Sequence, residues 1–359
     1  MDLPALAGHF RIPEATYAIN PVGSGHINRT FLVTATGTSG EKFILQQVNR
    51  QVFPNVPALM ENIDRVSRHI LGRLVTQTED RRRFTTLRII PSRLGELCIT
   101  DESGEYWRLY EFIAGRSFDH VPGPAFAREA GRAFGRFHAL ASGLDAATLH
   151  EVLPGFHDVS LRLNRFRAAV ETDPVGRKRD AGAEIGFAQD RAGEMSVFNS
   201  AFKTGTLPVR ITHNDTKFNN VLFDADGQAM AVVDLDTVMP GTVLYDFGDA
   251  IRTGTATAEE DDPEGISFDP SLFAAYTQGY LSEALSFLTR EETERLAFSA
   301  RYMTYIIGLR FLTDYLEGDR YFRIHRQDHN LRRARAQFRL LGAMEDQFSL
   351  MESMVRDSC

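Results

Sequence analysis

The first third of the chain alternates. Tyr17–Val22 is one run, Arg29–Thr36 alternates, and Lys42–Val48 makes a third run, a pattern that predicts strands. Gly37-Thr-Ser-Gly40 is the turn between the second and third runs. The apolar spacing then changes to three and four. Asn55 opens a helix with Pro57 in its first turn, and Leu59, Ile63, Val66, Ile70 and Leu74 line one stripe. Leu97–Thr100 and Tyr106–Ile113, joined by Asp101-Glu-Ser-Gly104, return to a hairpin pattern.

After Gly115 the character changes. Pro124–Leu140 is an amphipathic helix with Phe126, Ala130, Ala133, Phe134 and Phe137 on one face, and residues 157–204 are charged and helical in pattern. Three short strands follow, Val209–Thr212, Val221–Phe223 and Met230–Val233, the last two joined across Ala225-Asp-Gly227. Residues 271–356 read as helices. The class is α+β: an N-terminal lobe over 1–110 with an antiparallel sheet plus a helix, a hinge at 111–116, and a larger, mostly helical C-terminal lobe over 117–359. The length, 359 residues, also fits two lobes at about 150 residues per domain.

Composition removes several function classes. The net charge is −8, and the basic triplet Arg81–Arg82–Arg83 is flanked by Glu79 and Asp80, a solvated turn rather than a nucleic-acid stripe. Cys98 and Cys359 make neither a disulfide framework nor a zinc set. The N-terminus carries no signal-peptide pattern. The most apolar stretch, Tyr302–Leu312, is too short for a membrane span and contains Arg310. The expectation is a cytoplasmic monomer with a small-molecule substrate and no nucleic-acid or membrane partner.

The densest chemistry lies in Ile211-Thr-His213-Asn-Asp215-Thr-Lys217-Phe-Asn219-Asn220, between two short strands. Its spacing, H-x-D-x-K-x-x-N, suits phosphoryl transfer. Asp215 would orient the acceptor hydroxyl and take its proton, Lys217 would neutralise charge on the moving group, and Asn220 would hold Mg²⁺. An apolar strand then ends in Asp234 and Asp236, and Asp234 is the second metal ligand expected. Upstream, Gly23-Ser24-Gly25 is a glycine-rich turn between strands whose N–H groups could approach phosphate. Only eleven residues separate Asp234 from Asp246, too few for the activation segment of a protein kinase.

In this order the motifs resemble the protein-kinase-like fold, and within it the aminoglycoside phosphotransferase and choline kinase family. Its loop is matched by His213, Asp215 and Asn220, its metal acid by Asp234, and its loop-bracing acid by Tyr245-Asp246. The chain looks most similar to bacterial N-acetylhexosamine 1-kinases. The stretches that carry this are Gly-His-Ile-Asn (25–28), Ile-Leu-Gln-Gln (44–47), Thr-His-Asn-Asp-Thr-Lys (212–217), Asp-Leu-Asp-Thr (234–237), Asp-Phe-Gly-Asp (246–249) and the ten residues from Arg310 to Asp319. The resemblance implies a bilobal fold and ATP with Mg²⁺ as cofactors. It implies transfer to O1 of N-acetylglucosamine or N-acetylgalactosamine, with His26, Asp215, Arg310 and Tyr321 on the sugar. Adenine would sit on the backbone of Glu111 and Ile113, which follow Trp107 and Tyr110.

One departure stands out. The third strand should offer a lysine to the nucleotide phosphates, but the slot holds Gln46, and Lys42 lies four residues, ~13 Å, upstream. Gln46 would bind phosphate as a neutral donor. Neither Glu61 nor Asp64 of the following helix is placed to pair with a lysine there. Other acceptors of the same chemistry (choline, homoserine, methylthioribose, aminoglycosides) stay open. So do a haloacid-dehalogenase-type phosphatase with Asp234 as nucleophile and a non-catalytic pseudokinase.

Overall fold

A computed structural model describes residues 2–23, 27–36, 40–77 and 84–359. Ser24, Gly25, His26, residues 37–39 of the first turn and the Arg81–Arg83 triplet lie outside the described residues. The chain forms two compact units. Unit 1 takes Met1–Ser117, Leu140–Leu153 and Val221–Pro240; unit 2 takes Phe118–Ala139, Pro154–Asn220 and Gly241–Cys359.

Unit 1 is built on an antiparallel sheet. Its strands are β1 (Thr16–Pro21), β2 (Arg29–Thr36), β3 (Lys42–Val48), β4 (Ile89–Ile90), β5 (Ile99–Thr100) and β6 (Tyr106–Glu111). The order is β1-β2-β3-β6-β4, with β5 also on β6. Alternation buries Phe31 and Val33, Phe43 and Leu45, and Trp107 and Leu109. They pack with Leu6 and Ala7 of a short helix α1 (Leu3–Gly8) and with Phe10 and Ile12. α2 (Val56–Val75) begins where Asn55 caps Ala58 N–H, and all five stripe residues from Leu59 to Leu74 are buried. The register sets Gln46 of β3 opposite Thr30 of β2 and Arg108 of β6. Two later strands complete the unit: β8 (Val221–Phe223) and β9 (Ala229–Val232), an antiparallel hairpin. A phosphatase nucleophile of the dehalogenase type would need a parallel sheet before Asp234, and this acid follows a hairpin strand instead.

Unit 2 is mostly helical. Its elements are α3 (Pro124–Ala141, of which the last two residues fall in unit 1), α4 (Val159–Thr172), α5 (Gly182–Lys203), the strand β7 (Arg210–Thr212), α6 (Val243–Gly254), α7 (Pro270–Ala284), α8 (Arg290–Glu294), α9 (Leu296–Leu316), α10 (His329–Asp346) and α11 (Phe348–Asp357). α9 is buried nearly all round, packed against α4, α6 and α10, which is why it lacks an amphipathic stripe. α3 and α7 meet backbone to backbone: a Cβ on Gly131 would fall 2.1 Å from Tyr276 O, and one on Gly279 1.9 Å from Arg128 O. Among the described residues no helix is long and apolar enough to cross a membrane.

α1, β4 and α6 were not readable from the pattern. α1 has six residues and β4 two. In α6, Asp246, Gly248 and Asp249 interrupt the apolar spacing, yet the residues from Val243 to Arg252 are buried.

Candidate active site

The loop after β7 is fixed by one carboxylate. Asp246, fully buried in the first turn of α6, accepts from His213 N at 2.6 Å and Asn214 N at 2.7 Å. His138 of α3 adds its Nε2 at 2.7 Å from the same carboxylate, and Tyr280 Oη of α7 lies 3.0 Å from the other ring nitrogen. The backbone carbonyl of Asp246 accepts from Thr216 Oγ1 at 2.6 Å. Burial opposes the charge on Asp246, but the hydrogen bond and charge of His138, with His213, outweigh it and hold the carboxyl below its usual value. His138 is thus a partnered packing residue.

This clamp positions Asp215. The His213 ring packs edge-on to Phe134 and Phe137 at 5.7 and 5.9 Å, and its Nδ1 accepts from Asp215 N at 3.3 Å. Asn214 adopts a left-handed conformation, φ 64°, which asparagine tolerates, and its side chain holds Thr212 Oγ1 at 2.8 Å. Asp215 follows, half-buried, with Lys217 Nζ 2.9 Å from Oδ1. Asn220 Nδ2 donates to Asp215 O at 2.8 Å and to Oδ2 at 3.3 Å. Burial would raise the Asp215 carboxyl; Lys217, His213 and Asn220 pull it below its ordinary value. The carboxylate is therefore ionised at neutral pH, the state a proton acceptor needs. In return, the charge of Asp215 raises the Lys217 ammonium, so both members of the pair are charged.

In unit 1 the strand-end acids divide their tasks. Asp236, buried, forms an ion pair with Arg108 Nη2 at 2.6 Å and accepts from Asn28 Nδ2 at 2.6 Å. Arg108, also buried, donates Nε and Nη2 to Gln46 Oε1 at 3.0 and 2.8 Å. Gln46 Nε2 donates to Thr30 Oγ1 at 3.0 Å, and Asn28 Oδ1 accepts from Asn49 N at 3.0 Å. This network ties β2, β3 and β6 to the segment after β9. It occupies both ends of the Gln46 amide, and it places a cation in the sheet where the sequence offered no lysine. Burial works against the charge on Arg108, but Asp236, Tyr110 and Asp234 outweigh it and raise its pKa. Asp234 has φ 59° and leads the 3-10 turn Leu235–Thr237 without its side chain capping that turn. Glu61 and Asp64 of α2 pair instead with Arg65 and Arg68 at the surface, and Lys42 lies over the Phe112 ring at 5.4 Å.

Of the other expected site residues, Glu111 ends β6 and donates its N–H to Arg88 O at 3.0 Å. Gly23, at φ 82°, lies between β1 and β2, and the Ile113 carbonyl, which accepts from Gly115 N at 2.9 Å, follows β6. Arg310 Nη2 lies 3.4 Å from Tyr321 Oη, and both line a pocket of unit 2 with Arg162, Arg165 and Asp314. The sequence reading missed Arg108 and Arg162. An arginine between Trp107 and Leu109 in the otherwise apolar run of β6 was the signal for the first; the second sits in a helix rich in charge and carried none.

The sequence matches the phosphotransferase enzyme family over residues 18–289, and the chain belongs to that family. Its reaction class is therefore transfer of a phosphoryl group. Among solved structures, an aminoglycoside phosphotransferase from Alicyclobacillus acidocaldarius subsp. acidocaldarius DSM 446 superposes with a TM-score of 0.65 at 11% identity, over 99% of this chain and 96% of the other. A microcompartment-associated aminopropanol kinase gives 0.63 at 15% identity, over 97% of each chain. The amicoumacin kinase hAmiN, solved with AMP-PNP and Ca²⁺, gives 0.57 at 13% identity, over 95% of this chain and 91% of the other. At these identities the likeness is one of fold: an N-terminal antiparallel sheet and a larger helical C-terminal part.

Proposed function

We propose that the protein is an ATP-dependent small-molecule kinase that phosphorylates O1 of an N-acetylhexosamine, giving the sugar 1-phosphate and ADP. The observation that carries the kinase reading is the Asp215 loop. An ionised carboxylate stands 2.9 Å from a lysine on a loop whose backbone is held by buried Asp246. Asp215 orients the acceptor hydroxyl and takes its proton as the phosphoryl group leaves ATP; Lys217 offsets the charge on that group.

Mg²⁺ is assigned by the motif resemblance to Asn220 and Asp234: the amide nitrogen of Asn220 is engaged by Asp215, which leaves its oxygen as the end a cation would take, and Asp234 is a hard-oxygen carboxylate. When bound, the metal would neutralise the nucleotide phosphates. The structural neighbour holding AMP-PNP and Ca²⁺ supports a nucleotide with a divalent ion. Gly23, Ser24, Gly25, Glu111 and Ile113 are assigned to ATP, with Gln46 acting through its network. His26, Arg310 and Tyr321 are assigned to the sugar by the motif resemblance. The family equally contains kinases of choline and aminoglycosides by that resemblance, so the acceptor needs a direct test. The test is ADP release with ATP·Mg²⁺ across N-acetylglucosamine, N-acetylgalactosamine, homoserine, choline and kanamycin. Turnover with either sugar, absent with the other three, supports the reading. Turnover with only an amine acceptor contradicts it.

A further inference from the structure

Every side-chain nitrogen of Arg108 is engaged. The residue is 1% exposed. Nε and Nη2 donate to Gln46 Oε1, Nη2 also lies 2.6 Å from Asp236 Oδ1 as an ion pair, and Nη1 meets Met60 Sδ of α2 at 3.8 Å. A nucleotide phosphate could reach this guanidinium only by displacing contacts that join β3, β6, α2 and the segment after β9. The cation that stands in the sheet in place of a lysine is therefore turned inward, away from the work of a phosphate ligand.

Its grip passes instead to the neighbourhood of Asp234. Asp236 lies two residues further on, inside the 3-10 turn Leu235–Thr237, and also accepts from Asn28 Nδ2. The far end of that turn is held by α2. Asn62 Nδ2 donates to Val238 O at 2.9 Å and to His150 O at 2.8 Å, while Asn62 Oδ1 accepts from His150 N at 2.8 Å. On the near side, Val232 of β9 pairs with Val221 of β8. Asp234 is thus bracketed by fixed residues in a left-handed conformation, φ 59°, which a residue other than glycine keeps only where its surroundings impose it. Burial opposes the charge on Arg108, and Asp236, Tyr110 and then Asp234 restore it, so the Asp234 carboxylate lies within electrostatic reach of the same guanidinium. A buried ion pair adds little stability over apolar side chains of the same volume. What it supplies here is direction: one planar guanidinium serves Gln46 and Asp236 together in a fixed geometry.

We propose that Arg108 is a positioning residue for nucleotide binding: through Asp236 it fixes the turn that aims the Asp234 carboxylate, and it makes no contact with the phosphates itself. The inference rests on the kinase reading, in which Asp234 holds the divalent ion.

The test is calorimetric titration of the full chain with ATP, once in Mg²⁺ and once in EDTA. The variant combines Arg108→Met with Asp236→Asn, which removes both buried charges together and leaves Asn28 an acceptor. It is made alone and with Asp234→Ala, and each protein is checked by its melting temperature. If the double variant does not fold, Arg108→Lys, which keeps the charge without the planar fork, carries the same readout. The Mg²⁺ enhancement of ATP affinity should fall ~10–100-fold, with the affinity in EDTA unmoved. Added to Asp234→Ala, the same changes should cost nothing further, because they act through that carboxylate. A wild-type Mg²⁺ enhancement in a folded variant overturns the positioning role. So does an equal loss of affinity in EDTA, which would make Arg108 a phosphate ligand, and so does a full further loss on top of Asp234→Ala. Each of these three results leaves the kinase reading standing. A wild-type chain that binds no ATP in either buffer removes that reading and the positioning role with it.

Discussion

Asp215 and Asp246 are two carboxylates on one loop system with opposite surroundings. Asp215 is half-buried and meets the side chain of an exposed lysine; Asp246 is sealed and meets backbone N–H donors. Asp215→Asn should lower kcat by ~10²–10⁴-fold, because the amide cannot take the hydroxyl proton, while ATP affinity holds. Steady-state kinetics with nucleotide titration checks it, and a wild-type kcat would remove Asp215 from the chemistry. Asp246→Asn should instead cost ~3–5 kcal/mol of stability, since an amide removes the charge and one of the two acceptor oxygens that serve His213 N, Asn214 N and His138 Nε2. The pH dependence follows from its sign. Asp246 titrates below an unfolded value near ~3.9, so its contribution is complete above that pH and fades as pH falls through the lower native value. Denaturant melts from pH 7 to 3 should show a steeper acid loss in wild type than in Asp246→Asn. At this scale the loop residues were legible because chemistry concentrates them within eight positions. Arg108 was not, because its meaning depends on Asp236, Gln46 and the strand register, none of which is local.

Elements carry the clamp as much as residues do. His138 and Tyr280 meet Asp246 only because α3 and α7 approach backbone to backbone over Gly131 and Gly279. Gly279→Ala cannot be absorbed by a side-chain rotamer, since its Cβ would fall 1.9 Å from the Arg128 carbonyl oxygen. It should destabilise by ~1–3 kcal/mol and lower kcat together with the melting temperature, through a loosened His138–Asp246 contact. A melting temperature and kcat both at wild-type values would show that the helices can part at no cost. Legibility here followed periodicity. β2, β3 and α2 each bury one regular face, and their bounds could be read closely. α6 could not, because Asp246 and Asp249 sit where a helix of its burial would carry apolar residues. Asp246 is there for the loop it braces, and Asp249 for its ion pair with Arg252.

At the scale of the whole chain, the organisation is interleaved. Unit 1 runs to Ser117 and then takes back Leu140–Leu153 and Val221–Pro240. No local composition marks those returns, since they are fixed by long-range packing of β8 and β9 with the N-terminal segments, such as Arg116 with Phe223 and Thr85 with Ala231. The Asp215 loop therefore belongs to one unit and Asp234 to the other, and Asp234→Ala should leave the Asp215 clamp folded while removing the Mg²⁺ enhancement of ATP binding. ATP titration with and without Mg²⁺ checks this; an unchanged enhancement places the metal elsewhere.

The central claim, that Asp215 directs phosphoryl transfer to a sugar O1, is tested most directly by ³¹P NMR of the product formed from ATP·Mg²⁺ with N-acetylglucosamine and, in parallel, its methyl glycoside. The account predicts an anomeric phosphate coupled to H1 from the free sugar, formed with one equivalent of ADP, and no phosphorylated product from the glycoside. A phosphate on the glycoside, or on any other oxygen of the free sugar, would contradict it.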